Sequence, residues 1–445
     1  METKLERKLG LWAVIALGLG ATLGTGIFST MNEVAAVAGS SLVLIIAFVI
    51  GGLLQIPANF CYAELSSAYP ENGGYYVYIR EAGNPLFAFL CGWASFWALD
   101  PPSISIMALG LVAYLDTFLP FGWLSLRFIA VGVILFFMIA NIMSVKAGSV
   151  IQSVLTCLKI LPFFVVIGIG MFFINGDLLF NSYSSSTVSD ASLTTGFLTI
   201  FAAIATTTFS YDGMYAPSYM TGEVKDPKRV MPIAFITMAI IVIVLYVSLS
   251  VVSTGLLSMD ELASSSAPIV AVAEQIPFIG QYAGLVVAFM AVLVIIGSIA
   301  SVTMYQPRLG YAMARDGYFF KVFGKVHPKY RSPYCAIIIH CVYASVLTLT
   351  CDLTSLLGFL TLITLIRNFA TFCSIFFLRK KNGYKPSYKA PLGLLCPIVS
   401  CIVTGFLIVG IVFKYPLESV LWIGLLWGTG IVAFYIWNKK KNIKK

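Results

Sequence analysis

The chain has 445 residues, 59% of them hydrophobic and only 11% charged, against about 25% charged in an ordinary soluble domain. That composition excludes a water-soluble globular protein. The net charge of +9 raises a nucleic-acid or acidic partner as an alternative, but the placement of the basic residues answers it. With twelve spans and both termini on one side, 24 of the 28 Lys and Arg fall on that side, the excess expected of cytoplasmic loops. No basic groove is left for nucleic acid.

In chain order the apolar spans are 10–38, 41–67, 85–115, 123–146, 149–174, 193–222, 230–256, 278–315, 333–351, 353–379, 391–413 and 417–438. Each is long enough for a helix to cross about 30 Å of hydrocarbon. Lys4, Arg7 and Lys8 precede the first, but that run is too long for a signal peptide and opens a regular series. Residues 68–84, YPENGGYYVYIREAGNP, are too polar to span and suit a short helical or re-entrant piece near the inner mouth. Asn175 to Thr195 reads as a Ser-rich outer loop. Short connections make 1–445 a single domain, an all-α integral membrane protein in the lipid bilayer, with both termini cytoplasmic. The nine cysteines form no CxxC pair and have no histidines at metal spacing, so they read as small core residues.

Two spans break their own helical pattern. GLGATLGTGIF in the first carries Gly18, Gly20, Gly24 and Gly26, and each glycine weakens a helix by about 1 kcal/mol relative to alanine. Unwound backbone at membrane depth is tolerable only where its freed groups are buried in protein or bind something. Close packing of small residues, with Gly20 and Gly24 four apart, is the competing explanation. The sixth span holds a second interruption, Phe209-Ser210-Tyr211-Asp212-Gly213, with Pro217 just beyond. Matching breaks in two halves point to a transporter of inverted five-helix repeats with its site between them. N–H groups at the start of a half-helix suit a carboxylate, and C=O groups at the end of one suit an ammonium. A zwitterionic α-amino acid meets both. Gly24 and Gly26 let backbone approach a small carboxylate closely, and the Thr25 hydroxyl adds a donor.

GATLGTGIF, FSYDG, GEVKDPKRVMPIA, PRLGYAMARDG and VHPKYRSP occur in order along nearly the whole chain. Together they resemble the amino acid–polyamine–organocation transporters, most closely the L-amino-acid transporter branch and its bacterial serine/threonine exchangers. The resemblance implies a LeuT-like fold of twelve transmembrane helices, with 5+5 inverted repeats over about 10–174 and 193–379, broken helices 1 and 6, and two further helices over about 391–438. It implies that Thr22, Leu23, Gly24, Thr25 and Gly26 serve the carboxylate and part of the amine, and that carbonyls of Phe209, Ser210 and Asp212 accept from the ammonium. Phe209 would be an aromatic lid, and Tyr211 and Gly213 complete the second segment. Asp212 and Met214 depart from the branch's commoner glycine and tryptophan, which leaves substrate size and charge open. By the same likeness Lys159 occupies the place of a cation in sodium-coupled relatives.

Lys159 and Asp212 are ionisable groups at membrane depth, where a charge is costly and faces a partner or water. Lys159 could clamp span one to span eight or carry a proton. Asp212 could cap the second half-helix or attract a cationic substrate, with Asp100 assisting. Arg367 has Asp100 or Asp212 as its candidate partner, and Glu64 and Glu71 are candidates for inner-face pairs with Lys225, Arg315 or Arg80. Enzyme chemistry fares badly: there are only two histidines, no HExxH, GxSxG or P-loop, no cofactor motif and no metal set. GLGATLG misses the dinucleotide spacing by one residue. A channel would need a ring of filter residues, and a sensor would need an output domain.

The expectation is therefore a plasma-membrane exchanger of small or medium neutral L-amino acids working by alternating access, with proton symport, or cationic amino acids or polyamines as substrates, held as alternatives. The short outer loop between spans three and four lacks the cysteine through which animal relatives bind a partner glycoprotein, so a chain that works alone is expected.

Overall fold

The computed structural model describes residues 5–24, 26–116, 122–181, 193–265, 267–277, 280–351, 357–414 and 416–442. Helices account for nearly all of it: α1 (Leu11–Thr22), α2 (Gly26–Ala38), α3 (Ser41–Ala68), α4 (Tyr75–Glu81), α5 (Pro85–Ala98), α6 (Asp100–Leu115), α7 (Trp123–Met143), α8 (Val145–Gly170), α9 (Gly176–Asn181) and α10 (Leu193–Ser210) make the first half. A 3-10 helix, Ala216–Glu223, leads into the second. There follow α11 (Pro227–Leu256), α12 (Met259–Ser264), α13 (Pro268–Glu274), α14 (Ala283–Tyr305), α15 (Pro307–Arg315), α16 (Tyr334–Thr350), α17 (Leu357–Leu378), α18 (Leu395–Lys414) and α19 (Pro416–Asn442).

Among the described residues nine helical stretches are long and apolar enough to cross a membrane, and three shorter apolar helices, Leu11–Thr22, Thr199–Thr208 and Tyr334–Thr350, join them. The short ones include the first parts of the two spans that the sequence reads as broken. The long helices turn large apolar side chains outward: Phe128 on α7, Phe164 on α8 and Ile402 on α18 are each more than half exposed. In water that would be an aggregation surface; in hydrocarbon it costs nothing. The polar residues lie inside, which identifies a multi-pass membrane protein.

Local chemistry sets the helix ends. Asn84 accepts from the Phe87 N–H at 3.0 Å and Pro85 opens α5. Ser258 and Glu261 form a reciprocal cap on α12, in which the Ser258 hydroxyl and backbone N–H hold the Glu261 carboxyl below the usual carboxylate range. α1 lies in the middle of the bundle, packed by α8, α11 and α14, with Val14 to Gly20 all buried. The polar 68–84 segment supplies α4, a short helix packed on α5 and α17.

Candidate functional site

The first span is helical through Thr22, breaks at Leu23 and Gly24, and resumes at Gly26. Gly18 and Gly20 are inside the helix. A Cβ on Gly18 would fall 2.0 Å from Met238 Sδ, and one on Gly20 2.0 Å from Gln152 Nε2. Close packing therefore explains these two glycines, and the unwinding is confined to the next few residues. At Gly24 the nearest atom to a Cβ would be Ser298 Oγ at 3.6 Å, an ordinary contact. Thr25 lies outside the described residues.

Carbonyls along the second half of α1 and at the break take side-chain donors. Ala16 accepts from Thr156 Oγ1 at 3.0 Å and Leu17 from Ser301 Oγ at 2.7 Å. Gly18 accepts from the Thr22 hydroxyl at 3.0 Å, and Thr22 in turn from the Tyr246 hydroxyl at 3.3 Å. Gly20 and Leu23 take the Lys159 ammonium, with Nζ at 2.7 and 2.6 Å, and Ser298 Oγ of α14 completes it at 3.4 Å. Lys159 is fully buried. Its positive charge sits at the negative end of α1, where the helix dipole favours it, and it joins α8 to the first break and to α14.

The sixth span ends its α-helix at Ser210, turns through 211–215 and continues as the 3-10 helix. Gly213 has φ +104, and a Cβ there would fall 2.9 Å from the carbonyl carbon and oxygen of Ala21. The two breaks thus touch backbone to backbone, and only glycine permits it. Ser210 reaches across to the Thr30 hydroxyl of α2, and Thr30 also donates to Gly26 O at 2.9 Å. The N-terminus of α2 and the C-terminus of α10 are brought together there. Tyr211 is turned away: its hydroxyl donates to Phe48 O at 2.8 Å and its ring packs on Tyr246. Asp212 is partly buried, forms no ion pair within 4 Å among the described residues, and makes no N-cap on the following helix, whose start carries no side-chain cap. Of Phe209 the backbone alone is described, at the last turn of α10.

Arg367 is a second fully buried cation. Its partner is Asp100, with Nη1 3.7 Å from Oδ1, and it donates to the Tyr219 hydroxyl at 3.0 Å. The guanidinium lies 4.2 Å from the Tyr215 ring centre and 5.3 Å from that of Tyr75. The expected inner-face pairs are only partly met. Glu64 takes neither Lys225, Arg315 nor Arg80 but Arg379, at 2.9 Å, together with the Tyr384 hydroxyl and the Ala390 N–H. Arg80 joins Glu71 at 3.0 Å and also Glu81 and Asp316. A buried pair absent from the sequence reading, Arg308 with Glu223 at 3.0 Å, ties α15 to the end of the 3-10 helix. A cavity of about 300 Å³ opens beside these charges, lined by Asn72, Arg80, Gly222, Tyr311, Arg315 and Asp316, and not at the breaks.

Sequence reading missed Thr30, Ser298 and Tyr246. The signals available were weak, a hydroxyl or phenol among apolar helix residues, and only the fold shows that all three meet the breaks.

A helix unwound at membrane depth, its carbonyls held by a buried ammonium and its neighbour broken at the point of contact, defines a membrane transporter. The chain belongs to the amino acid permease family, whose model matches residues 9–434, and within the amino acid–polyamine–organocation superfamily it falls in the L-amino-acid-transporter-like branch. It is 28% identical over 414 residues to the serine/threonine exchanger SteT of Bacillus subtilis, covering 92% of each chain. It is 27% identical to the methylthioribose transporter of the same organism, over 99% of this chain and 95% of that one. It is also similar to the mouse b(0,+)-type amino acid transporter 1, at 25% identity over 98% of this chain and 88% of the other.

Proposed function

We propose that this permease exchanges small or medium neutral L-amino acids across the plasma membrane by alternating access, with both termini cytoplasmic. The observation that carries the reading is the meeting of two half-helix ends at the breaks, the start of α2 and the end of α10, joined through Thr30 and Ser210. Of the Thr22–Gly26 stretch, the Leu23 and Gly24 N–H groups donate to Leu19 O and Thr22 O, so the substrate carboxylate takes N–H groups at the positive start of α2, with the Thr25 hydroxyl. The ammonium takes carbonyls of Phe209, Ser210 and Asp212 at the negative end of α10, and Phe209 closes over it. Tyr211 and Gly213 hold the second segment in place. Lys159 supplies a fixed positive charge where a bound cation would otherwise be needed to hold the first break.

In this reading the whole chain is one domain of LeuT-like fold, with inverted repeats over about 10–174 and 193–379 rocking about the breaks and two added helices over about 391–438. No disulfide-linked heavy chain is required. Exchange is supported by the likeness to SteT, a serine/threonine exchanger. Neutral substrates are supported by Asp100, the carboxylate that would assist Asp212 in drawing a cationic substrate, which already faces Arg367. A proton-coupled symporter is the second reading, and Lys159 favours it: among the described residues each hydrogen-bond partner of the ammonium is a neutral oxygen, so loss of its proton leaves no unpaired counter-charge there.

Liposomes holding the purified protein decide between them. Labelled serine and alanine enter only preloaded vesicles, indifferent to pH, if the protein exchanges. Uptake into empty vesicles under an inward proton gradient selects the symporter, preferential uptake of lysine selects the cationic class, and no uptake of any amino acid removes the substrate assignment.

A further inference from the structure

Two cysteines that the transport reading does not use face each other across the joint between α17 and α18. Cys373 Sγ and Cys401 Sγ are 3.7 Å apart, both are free thiols, and both are partly accessible. A disulfide needs the sulfurs at about 2.05 Å, a closure of about 1.7 Å within reach of side-chain rotation at a packed helix pair. Of the other cysteines, Cys61, Cys91, Cys341 and Cys396 are buried, Cys335 and Cys351 are partly accessible at the two ends of α16, and Cys157 stands exposed on α8.

The place matters as much as the distance. Cys373 is six residues from Arg367 on one side and six from Arg379 on the other, about 9 Å along the helix each way. Arg367 sits in the tyrosine box beside the second break. Arg379 holds Glu64 of α3 and, at 2.7 Å, the carbonyl of Gly393 just before α18. The α17–α18 joint is thus held at one end by the Arg379 hydrogen bond to Gly393, while its middle presents two unlinked thiols.

We propose that Cys373 and Cys401 are a reversible dithiol switch, closed to a disulfide by a small disulfide or diazene oxidant and slowing transport when closed. In the step the two thiols lose two protons and two electrons to form one S–S bond. A small disulfide takes them up as two thiols, through a mixed disulfide that the second cysteine resolves; a diazene takes them up as a hydrazine. Covalent closure forbids the sliding of α17 past α18 by the ångström or two that packed helices use in shear motions. The rate clause rests on the transport reading; the cross-link itself does not.

The test uses the full chain in liposomes, treated with diamide, alkylated and digested without reductant. The expected result is a cross-linked pair of peptides, with fragmentation placing the bond at Cys401 and not at Cys396. Exchange of labelled serine falls at least fivefold and recovers with dithiothreitol. Cys373→Ala and Cys401→Ala each abolish the cross-link and the inhibition, while Cys157→Ala leaves both. The two variants are independent, so a folding defect in one leaves the other to decide. No cross-link between these residues, a cross-link with an unchanged rate, or inhibition that persists in both variants overturns the proposal. If the protein moves no amino acid at all, the peptide map and a rise in melting temperature on oxidation still decide the dithiol.

Discussion

Lys159 and Arg367 are two fully buried cations in one bundle, and they are held in opposite ways. The lysine takes point acceptors, two backbone carbonyls and a hydroxyl within hydrogen-bonding distance. The arginine takes flat faces, Tyr215 and Tyr75, with one hydrogen bond and a carboxylate 3.7 Å away, while its Nε and Nη2 and the Asp100 Oδ2 are left without a hydrogen bond. A compact ammonium suits the convergent carbonyls of a helix end, whereas a planar guanidinium stacks. The lesson is that the first break is held by a cation fitted to it, and the second lies beside a cation that is only partly matched.

Four expectations follow, in falling order of size. Arg367→Met leaves Asp100 buried and alone, which costs about 3–5 kcal/mol, while the Arg367→Met/Asp100→Asn double variant recovers most of it, since replacing a buried pair is often near neutral. Melting temperatures of the three proteins in detergent measure this, and a double variant as weak as the single one breaks the contrast. Lys159→Met leaves the Gly20 and Leu23 carbonyls without their donor, at about 1–3 kcal/mol each, and exchange drops by about two orders of magnitude. No second substitution at a carboxylate rescues it, because the lysine pairs with none.

At the point where the breaks touch, Gly213→Ala forces a Cβ against the Ala21 carbonyl at positive φ and costs about 1–3 kcal/mol. Gly24→Ala meets only an ordinary contact at Ser298, so its melting temperature stays near wild type while its apparent affinity for serine weakens. Equal destabilisation by the two would erase the distinction between a packing glycine and a binding one. The smallest effect is at the α12 cap, where the depressed Glu261 carboxyl contributes stability above its unfolded pKa of about 4.3 that is lost as pH falls through its lower folded value. Glu261→Gln lowers the melting temperature slightly near pH 7, where the contribution is fully present, and the difference from wild type vanishes at a pH below the folded value.

Much of this was legible in the chain. Twelve apolar segments fall where the helices form, and α1 stops within a residue or two of the glycines that weaken it, because a helix interrupted at membrane depth needs a local chemical cause. Lys159 was legible for the same reason: an isolated charge in an apolar run has few permissible surroundings. Partner choice was not. Glu64 finds Arg379 315 residues away, and Arg367 finds Asp100 instead of Asp212, because such pairings follow from which helix faces meet, a long-range property with no local periodicity. Nor did the sequence separate Gly18 and Gly20, which admit Met238 and Gln152, from Gly24, which admits neither; all three weaken a helix alike.

The backbone of Leu9 pairs with that of Val224 in an isolated parallel bridge, and the N–H groups of Lys8 and Leu9 both donate to Glu223 O while Lys225 N–H donates to Leu9 O. Ribosomes add about 5–20 residues per second, so the leading end of the chain waits roughly ten to forty seconds for its partner to be made. Until then the first span must be held in the bilayer by the insertion machinery or by its own apolar surface. The latch therefore closes only after the sixth span has been made, and an N-terminal fusion that obstructs Leu9 should lower the yield of folded protein before it touches transport.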